Sequence, residues 1–177
     1  PQNDEWASVA PMSEPRSGLA AAVVGEKVYA IGGSEEDRSG SVEAFDLRTG
    51  AWTTLASMRV GRRFASAAVL EGKIYVTGNA DDEERSVEVY DPSTDAWTDA
   101  APMITGRYGH GSAVLRGKLY VAGGYALDVG SISTAAVEAF DPQTNTWTAC
   151  APMGTARRWV GLAAVQGRLV AAGGGGA

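Results

Sequence analysis

The sequence predicts an all-β protein assembled from copies of one small repeat. Three observations predict this fold class. A set of anchor residues recurs along the 177-residue chain, and each copy contains short β-rich runs separated by turn residues. Glycine makes up 23 of the 177 residues, about 13% against roughly 7% in average proteins, which indicates many turns. The apolar residues show no sustained helical period.

The repeat is defined by four anchor positions. A methionine follows each anchor tryptophan after six residues, and a glycine follows that methionine after twenty. An aromatic residue then lies seven residues before the next tryptophan. The anchors are Trp6, Trp52, Trp97 and Trp147; Met12, Met58, Met103 and Met153; Gly32, Gly78, Gly123 and Gly173; and Phe45, Tyr90 and Phe140. Three anchors held in register over four copies, and a fourth over three, indicate one structural unit per copy.

Each complete copy divides into four short predicted strands. The first is rich in small residues and ends at a two-residue turn such as Gly25-Glu26, because glycine supplies the positive φ of a tight hairpin. The second, as in residues 28–31, runs into the anchor glycine. The third, as in residues 42–45, alternates in polarity and in two copies ends at an Asp-Pro turn. The fourth begins at the tryptophan.

These motifs resemble the kelch repeat, in particular the kelch domains of BTB–kelch ubiquitin-ligase adaptors. The resemblance rests on three Gly-Gly pairs, on the aromatic–tryptophan spacing, and on the stretches 15–33, 86–92 and 101–103. It implies a β-propeller with four strands per blade and the first strand nearest the axis. Asn79 stands where the family pattern has a second glycine, and Leu47 where two copies have proline.

We therefore expect one kelch propeller domain over residues 1–177. Residues 15–58, 59–103 and 104–153 would form three complete blades. Residues 1–14 would supply the outer strand, and residues 154–177 the two inner strands, of a split fourth blade. Two interpretations stay open: the terminal pieces close a four-bladed ring, or the chain is a part of a longer propeller. In the second case, open blade edges could support self-association.

Charge and composition exclude several classes of function. With 15 Lys+Arg and 21 Asp+Glu, the net charge of −6 lacks the electrostatic signature of a nucleic-acid binder or of a protein bound to an anionic membrane. No apolar run approaches the roughly 20 residues that span a bilayer. The single cysteine, Cys150, and the single histidine, His110, argue against zinc and copper sites, so we expect no cofactor. A lone cysteine also favours a reducing, cytoplasmic location.

One arginine per copy forms the first candidate binding set. Arg16, Arg62, Arg107 and Arg157 each lie four residues after the anchor methionine, and each third strand carries a glutamate, at Glu43, Glu88 and Glu138. One interpretation is structural Arg–Glu pairing. The other is a ring of arginines at the mouth of the propeller channel that binds carboxylates or phosphates. The kelch resemblance adds support to the second interpretation, since arginines of this region in the adaptors hold acidic peptides, and structural pairing stays the main alternative.

The two positions after each arginine differ between copies and form the second candidate set. They read Ser17-Gly18, Arg63-Phe64, Tyr108-Gly109 and Arg158-Trp159. Phe64 and Trp159 stand where the other copies have glycine. A large aromatic side chain at a channel mouth can anchor a partner, although it can equally serve to pack the end of a blade.

The loop between the second and third strands is the only repeat interval that varies in length, over residues 34–41, 80–86 and 125–136. Insertions of this kind often lie on a binding face. In the kelch adaptors, a serine before the third strand and a tyrosine after the glycine pair contact the ligand. Ser41, Ser86 and Tyr125 hold those positions here, while Ser34 replaces the tyrosine and Ala136 the serine.

The sequence thus predicts a protein-interaction module that binds a protein or peptide partner, with acidic peptides as the first class to test. By resemblance it would be the substrate-recognition part of a cullin-RING ubiquitin ligase, and not an enzyme. The alternative is a metal-free sugar-acid epimerase or mutarotase that uses Arg62 or Arg107 for the carboxylate and a glutamate as base. The sequence contains no Ser/His/Asp set, phosphate loop or metal motif.

Overall fold

The structure, a computed structural model, describes residues 5–33, 40–80, 84–127, 130 and 132–176. All regular structure in these residues is β-sheet, in short strands of two or five residues. The strands are β1 (Ala20–Val24), β2 (Lys27–Ile31), β3 (Val42–Asp46), β4 (Ala51–Leu55), β5 (Ser66–Leu70), β6 (Lys73–Thr77), β7 (Val87–Asp91), β8 (Ala96–Ala100), β9 (Arg107–Tyr108), β10 (Gly111–Leu115), β11 (Lys118–Ala122), β12 (Tyr125–Ala126), β13 (Ile132–Ser133), β14 (Val137–Asp141), β15 (Thr146–Cys150), β16 (Gly161–Val165) and β17 (Arg168–Ala172). The described residues contain no helix long and apolar enough to cross a membrane.

Three antiparallel sheets form the complete blades, and they confirm the predicted all-β propeller architecture. Their strand orders are β1-β2-β3-β4, β5-β6-β7-β8 and β10-β11-β14-β15. Within each blade the strands therefore lie side by side in the order in which they occur along the chain. The blades pack side by side through their first strands, with β1 against β5, β5 against β10, and β10 against β16. The small residues predicted for the first strands suit this close approach near the axis.

The seven-residue aromatic–tryptophan spacing reflects a direct cross-strand pair. Phe45 lies opposite Trp52, with ring centroids 5.3 Å apart, and the other two blades repeat the pair at 5.0 Å and 5.2 Å. Each tryptophan also links its blade to the preceding repeat. Its indole N–H donates a hydrogen bond to the backbone carbonyl that lies two residues before the anchor methionine of that repeat. These bonds run from Trp52 to Ala10, Trp97 to Ala56, and Trp147 to Ala101, each 2.8 Å long.

The split fourth blade does not assemble as expected. β16 and β17 form a two-stranded sheet, and residues 5–12 form no strand. Trp6, predicted at the start of the outer strand, is fully exposed. The physical reason is that an outer strand hydrogen-bonds to a third strand, as β4 does to β3, and no described strand lies beside β17. The described residues therefore form three blades and one half-blade, and no closed four-bladed ring.

A small sheet that the sequence did not predict joins β13, β12 and β9. It forms because the long loop of the third blade folds back on the start of the same blade, where Tyr125 pairs with both Tyr108 and Ser133. This sheet brings the variable loop to the channel mouth. The apolar core lies between the blades, around buried residues such as Ile74, Val76, Leu119 and Val121.

Candidate functional site: the channel mouth

Three of the four candidate arginines are structural parts of the blades. The side chains of Arg16, Arg62 and Arg107 are at most 1% exposed, and each pairs with the glutamate of its own blade. The Arg16–Glu43 and Arg62–Glu88 distances are both 2.9 Å, and Arg107 makes the same contact with Glu138.

The same arginines also bind backbone carbonyls. Arg62 Nη1 donates to the carbonyls of Gly78 and Ser86, both at 3.1 Å, and thereby bridges the end of β6 to the start of β7. The equivalent acceptors are Gly32 and Ser41 for Arg16, and Gly123 and Ala136 for Arg107. A buried guanidinium that is paired and hydrogen-bonded in this way holds its blade together.

This burial corrects the prediction that Arg16, Arg62 and Arg107 bind a partner. A ligand carboxylate cannot reach these guanidinium groups without opening the blade. The sugar-acid alternative needs Arg62 or Arg107 to bind a carboxylate and a glutamate to act as base. In the structure these arginines are buried and form ion pairs with the glutamates of their own blades. Because each arginine recurs with a glutamate in its blade, structural pairing explains the pattern.

The position two residues after each arginine forms a hydrogen-bonded row around the channel mouth. Phe64 N donates to Gly18 O at 2.8 Å, Gly109 N donates to Phe64 O at 2.9 Å, and Trp159 N donates to Gly109 O at 2.7 Å. One residue per blade takes part, so the row joins four consecutive repeats. The sequence comparison between copies had singled out these positions, although not their hydrogen bonds.

All four residues of this row adopt left-handed backbone. The φ angles are +67° at Gly18, +56° at Phe64, +60° at Gly109 and +55° at Trp159. Glycine adopts this conformation readily, but a bulky aromatic residue there is strained, by about 1–3 kcal/mol. Each aromatic ring lies over the glycine of the preceding blade: a Cβ at Gly18 would approach Phe64 to 2.7 Å, and one at Gly109 would approach Trp159 to 2.8 Å.

The aromatic residues of the second candidate set meet Tyr125 of the variable loop in one cluster, which we call the channel-mouth cluster: Phe64, Tyr108, Tyr125 and Trp159. Phe64 meets Trp159 edge-on with ring centroids 4.9 Å apart, and Tyr108 stacks on Tyr125 at the same separation. Trp159 lies 5.9 Å from Tyr108 and 6.1 Å from Tyr125. Burial is the main cause that raises the pKa of the Tyr108 phenol, and the neighbouring Tyr125 adds to it.

Two arginines flank the channel-mouth cluster. The Arg63 guanidinium lies 5.4 Å from the centre of the Phe64 ring, and that of Arg158 lies 5.0 Å from the centre of the Tyr125 ring, both cation–π distances. Arg158 Nη1 donates to Ser133 Oγ at 2.9 Å and to Gly176 O at 3.0 Å. Both side chains are half-buried.

A pocket of about 180 Å³ opens beside the cluster and is lined by Gly18, Leu19, Phe64, Ala65, Gly109, His110, Trp159 and Val160. At its base, His110 is 5% exposed and its Nε2 lies 2.8 Å from the Thr77 hydroxyl, while its Nδ1 has no partner among the described residues. Burial, with a smaller contribution from Arg107, lowers the pKa of the imidazole to about 3. His110 is therefore neutral at physiological pH.

The remaining predicted residues lie around the blade entrances. Ser17 is exposed beside Gly18, and Ser41 and Ser86 are half-buried, with their carbonyls bound by the arginines of their blades. Arg157 is half-buried, and its Nη1 donates to Gly173 O at 2.6 Å. Ser34 lies outside the described residues.

Two residues near the site were not selected from the sequence. Ser133 supports Arg158, and the only sequence signal for it was the length of the third loop. Asn79 was noted merely as a departure from the glycine pair. Its side chain accepts from Arg63 N at 3.0 Å and donates to Gly61 O at 3.0 Å, so it fixes the backbone beside Phe64.

Comparisons with known proteins agree with this architecture. The model of the FKB95 kelch-repeats domain matches residues 2–104, and that of the kelch motif matches residues 106–154. Kelch-like protein 28 of Mus musculus is 36% identical over 83 residues, which cover 42% of this chain and 14% of that protein. Kelch-like protein 4 of Homo sapiens is 34% identical over 72 residues, which cover 40% of this chain and 10% of that protein. The chain thus spans a small fraction of these relatives.

A solved structure described as that of YjhT superimposes with a TM-score of 0.83. It shares 21% sequence identity and the match covers 96% of this chain and 63% of that one, so the likeness concerns the fold. The repeat, the blades and the matches over more than half of the sequence show that this chain belongs to the kelch-repeat family.

Proposed function

We propose that the channel-mouth cluster and its two flanking arginines bind an acidic segment of a partner protein. The observation that carries the proposal is the presence of Phe64 and Trp159 in left-handed backbone at positions where the other two blades have glycine. A strained backbone conformation of this kind persists only where the surrounding contacts hold the residue in place. Such residues are concentrated at functional sites. Glycine would satisfy the same backbone without strain, so packing alone is a weak reason for either aromatic residue.

The exposure of the cluster supports binding over packing. Trp159 keeps 48% of its surface exposed even though its ring contacts Phe64, Tyr108 and Tyr125. Partly exposed tryptophan and tyrosine next to arginine are the residue types that dominate the energy of protein interfaces. The pocket beside Trp159 gives a partner side chain a place to insert.

The charges indicate an acidic partner. Arg63 lies over the Phe64 ring and Arg158 over the Tyr125 ring, and both bring positive charge to the mouth of an otherwise acidic protein. The side-chain hydrogen bonds of Arg158 to described residues use Nη1, and a guanidinium has five N–H donors. A carboxylate approaching over the tyrosine stack can therefore pair with this arginine.

An array of acidic peptides tests the proposal. Wild-type protein should give hits whose affinity falls with added salt and falls about tenfold in Arg158→Ala or Arg63→Ala, since a charge-assisted hydrogen bond is worth roughly 1.5–3 kcal/mol. Arg48→Ala is the matched control, because Arg48 is exposed in the outer turn between β3 and β4. Hits that are insensitive to Arg63 and Arg158, or no hits, would contradict the proposal.

By the resemblance to the BTB–kelch adaptors, we further propose that the domain is the substrate-recognition part of a cullin-RING ubiquitin ligase. The relatives named Kelch-like protein support this reading. The test uses the full natural protein and a partner found by the array. Ubiquitylation of that partner should depend on the full protein and fall with Trp159→Gly. A partner that binds at the channel mouth but whose ubiquitylation does not respond to the full protein would refute the ligase role and leave the binding proposal standing.

A further inference from the structure

Asn79 occupies a position at which the other three copies have glycine, namely Gly33, Gly124 and Gly174. A Cβ on any of these glycines would come within 2.7 Å of a backbone atom. Packed atoms do not approach one another so closely, so those copies leave no room for a side chain. Asn79 carries a side chain there, and the residue is only 1% exposed. The second copy therefore has different contacts around this position.

The Asn79 amide binds two backbone groups of the segment that leads to Phe64. Its Oδ1 accepts from Arg63 N and its Nδ2 donates to Gly61 O, both at 3.0 Å. The amide thus bridges the residues on either side of Arg62, whose own side chain is buried in the blade. A buried amide that is satisfied at both its oxygen and its nitrogen holds the two backbone groups at a fixed separation.

The fourth copy makes the equivalent contact with backbone atoms. Arg158 N donates to Gly175 O, and Gly175 N donates to Arg158 O, both at 2.9 Å. The second copy keeps the second of these bonds, from Ala80 N to Arg63 O at 3.1 Å, while the N–H of Arg63 donates to the Asn79 side chain. Asn79 thus supplies from its side chain an acceptor that the backbone supplies in the fourth copy.

These contacts restrain the backbone that carries Arg63 and Phe64. The peptide group before Arg63 is held through its N–H by Asn79. The next peptide group is held at both ends, since its oxygen accepts from Ala80 N and its N–H donates to Gly18 O. Peptide groups are planar, so two held groups fix the φ and ψ angles of Arg63 between them. They thereby also fix the direction in which the Arg63 side chain leaves the backbone towards the Phe64 ring, which lies 5.4 Å from the guanidinium.

We propose that Asn79 is a positioning residue of the partner site: its side-chain amide holds Arg63 and Phe64 in the arrangement that binds the partner. The inference rests on the proposed function, because Asn79 acts through these two residues. Without the amide the Arg63 backbone gains freedom, and a partner then has to order it on binding. Binding that must order a segment is weaker than binding to a preorganised one. The asparagine at this one position therefore prepares the second blade for binding.

Amide hydrogen exchange followed by NMR tests the hold on the backbone without any partner. In Asn79→Ala the Arg63 amide should exchange about tenfold faster than in wild type, because it loses one hydrogen bond. The Arg158 amide, which is bound by Gly175 O, should change by less than about twofold. Asn79→Asp keeps an acceptor for the Arg63 N–H and should keep its slow exchange. An Arg63 amide that exchanges at the wild-type rate in Asn79→Ala, or an equal acceleration of both amides, would overturn the proposal.

An acidic peptide that binds wild-type protein tests the link to the partner site. Asn79→Ala should bind it about tenfold more weakly, measured by calorimetry on folded protein. Asn79→Ser is too short to bridge the two backbone groups, and it takes the same role if Asn79→Ala does not fold. Asn145→Gly is the matched control. The Asn145 Oδ1 also accepts from a backbone N–H, that of Ala101 at 2.9 Å, but it lies in the turn between β14 and β15. This control should lower stability and leave the affinity unchanged, which separates positioning from support of the fold.

Two outcomes of the binding experiment distinguish this proposal from the proposed function. Undiminished binding by Asn79→Ala of a peptide that Phe64→Gly binds weakly would overturn the role of Asn79 and leave the proposed function standing. If wild-type protein binds no acidic peptide, the proposed function fails, and the binding role of Asn79 fails with it. The exchange rates then still show whether the amide holds the Arg63 backbone.

Discussion

Acidification between pH 7 and pH 5 should destabilise this protein through one side chain, His110. The imidazole is 5% exposed, its Nε2 contacts Thr77, and its Nδ1 has no partner within the described structure. Burial lowers the pKa of His110 to about 3 in the folded protein, against about 6.5 in an unfolded chain. The unfolded state therefore binds a proton in this range that the folded state does not. The contribution of neutral His110 to the free energy of unfolding is fully present above pH 6.5, and it is lost as the pH falls towards 3.

The magnitude follows from the two pKa values. Between pH 7 and pH 5 the free energy of unfolding should fall by about 2 kcal/mol, with a limiting slope of roughly 1.4 kcal/mol per pH unit. Urea denaturation followed by tryptophan fluorescence at both pH values measures the difference directly. His110 is the only histidine of the chain, so no other side chain has an ordinary pKa that lies inside this window.

The control is His110→Gln, which keeps a polar side chain and removes the titration. Its unfolding free energy should change by less than about 0.5 kcal/mol between the same two pH values, whatever its absolute stability. The measurement stays above pH 5 because carboxylates such as Asp95, whose pKa is lowered mainly by the Ala56 backbone N–H, contribute at lower pH. Equal pH dependence in the two proteins, or a flat wild-type profile, would refute this account of His110.

Three further predictions concern the blades and are measured by urea unfolding. Arg62→Met should lower the free energy of unfolding by about 3–5 kcal/mol, because it leaves the Glu88 charge buried and unpaired. Adding Glu88→Leu to this variant should recover part of the loss. An unchanged unfolding midpoint in Arg62→Met would contradict the structural role of the pair. Trp97→Phe should lower it by about 1 kcal/mol through loss of the bond between blades, and an effect near zero would show that this bond is unimportant. Gly18→Ala should destabilise by at least about 1 kcal/mol, since its left-handed backbone and the Phe64 ring both oppose a Cβ, whereas Ser17→Ala next to it should be neutral.

Much of the blade architecture could be predicted from the sequence, because it rests on local spacing. The six residues between Phe45 and Trp52 are the length of a tight hairpin, and the pair forms at that register. The place of the arginines was harder to predict. Recurrence at one position shows that Arg62 matters to every copy, but whether the side chain faces solvent or a glutamate depends on packing between strands.

The contacts within the channel-mouth cluster could not be predicted from the sequence. Comparing copies selected Phe64 and Trp159 as exceptions to glycine, yet they lie 95 residues apart and their contact depends on how successive blades turn about the axis. The stack of Tyr108 on Tyr125 depends on the fold of the long loop, which carries no repeat signal. The outer strand predicted near Trp6 did not form because the repeat pattern encodes a strand but not the neighbour that it needs.

The most direct test of the central claim is the affinity of an acidic-peptide hit for wild-type protein and for Phe64→Gly and Trp159→Gly. Glycine occupies the same position in the other two blades, so both variants should keep the fold and relieve backbone strain. The account predicts that each variant is at least as stable as wild type and binds the peptide at least tenfold more weakly. Undiminished binding by two stable variants would contradict it, and would show that these aromatic residues serve the packing of the propeller.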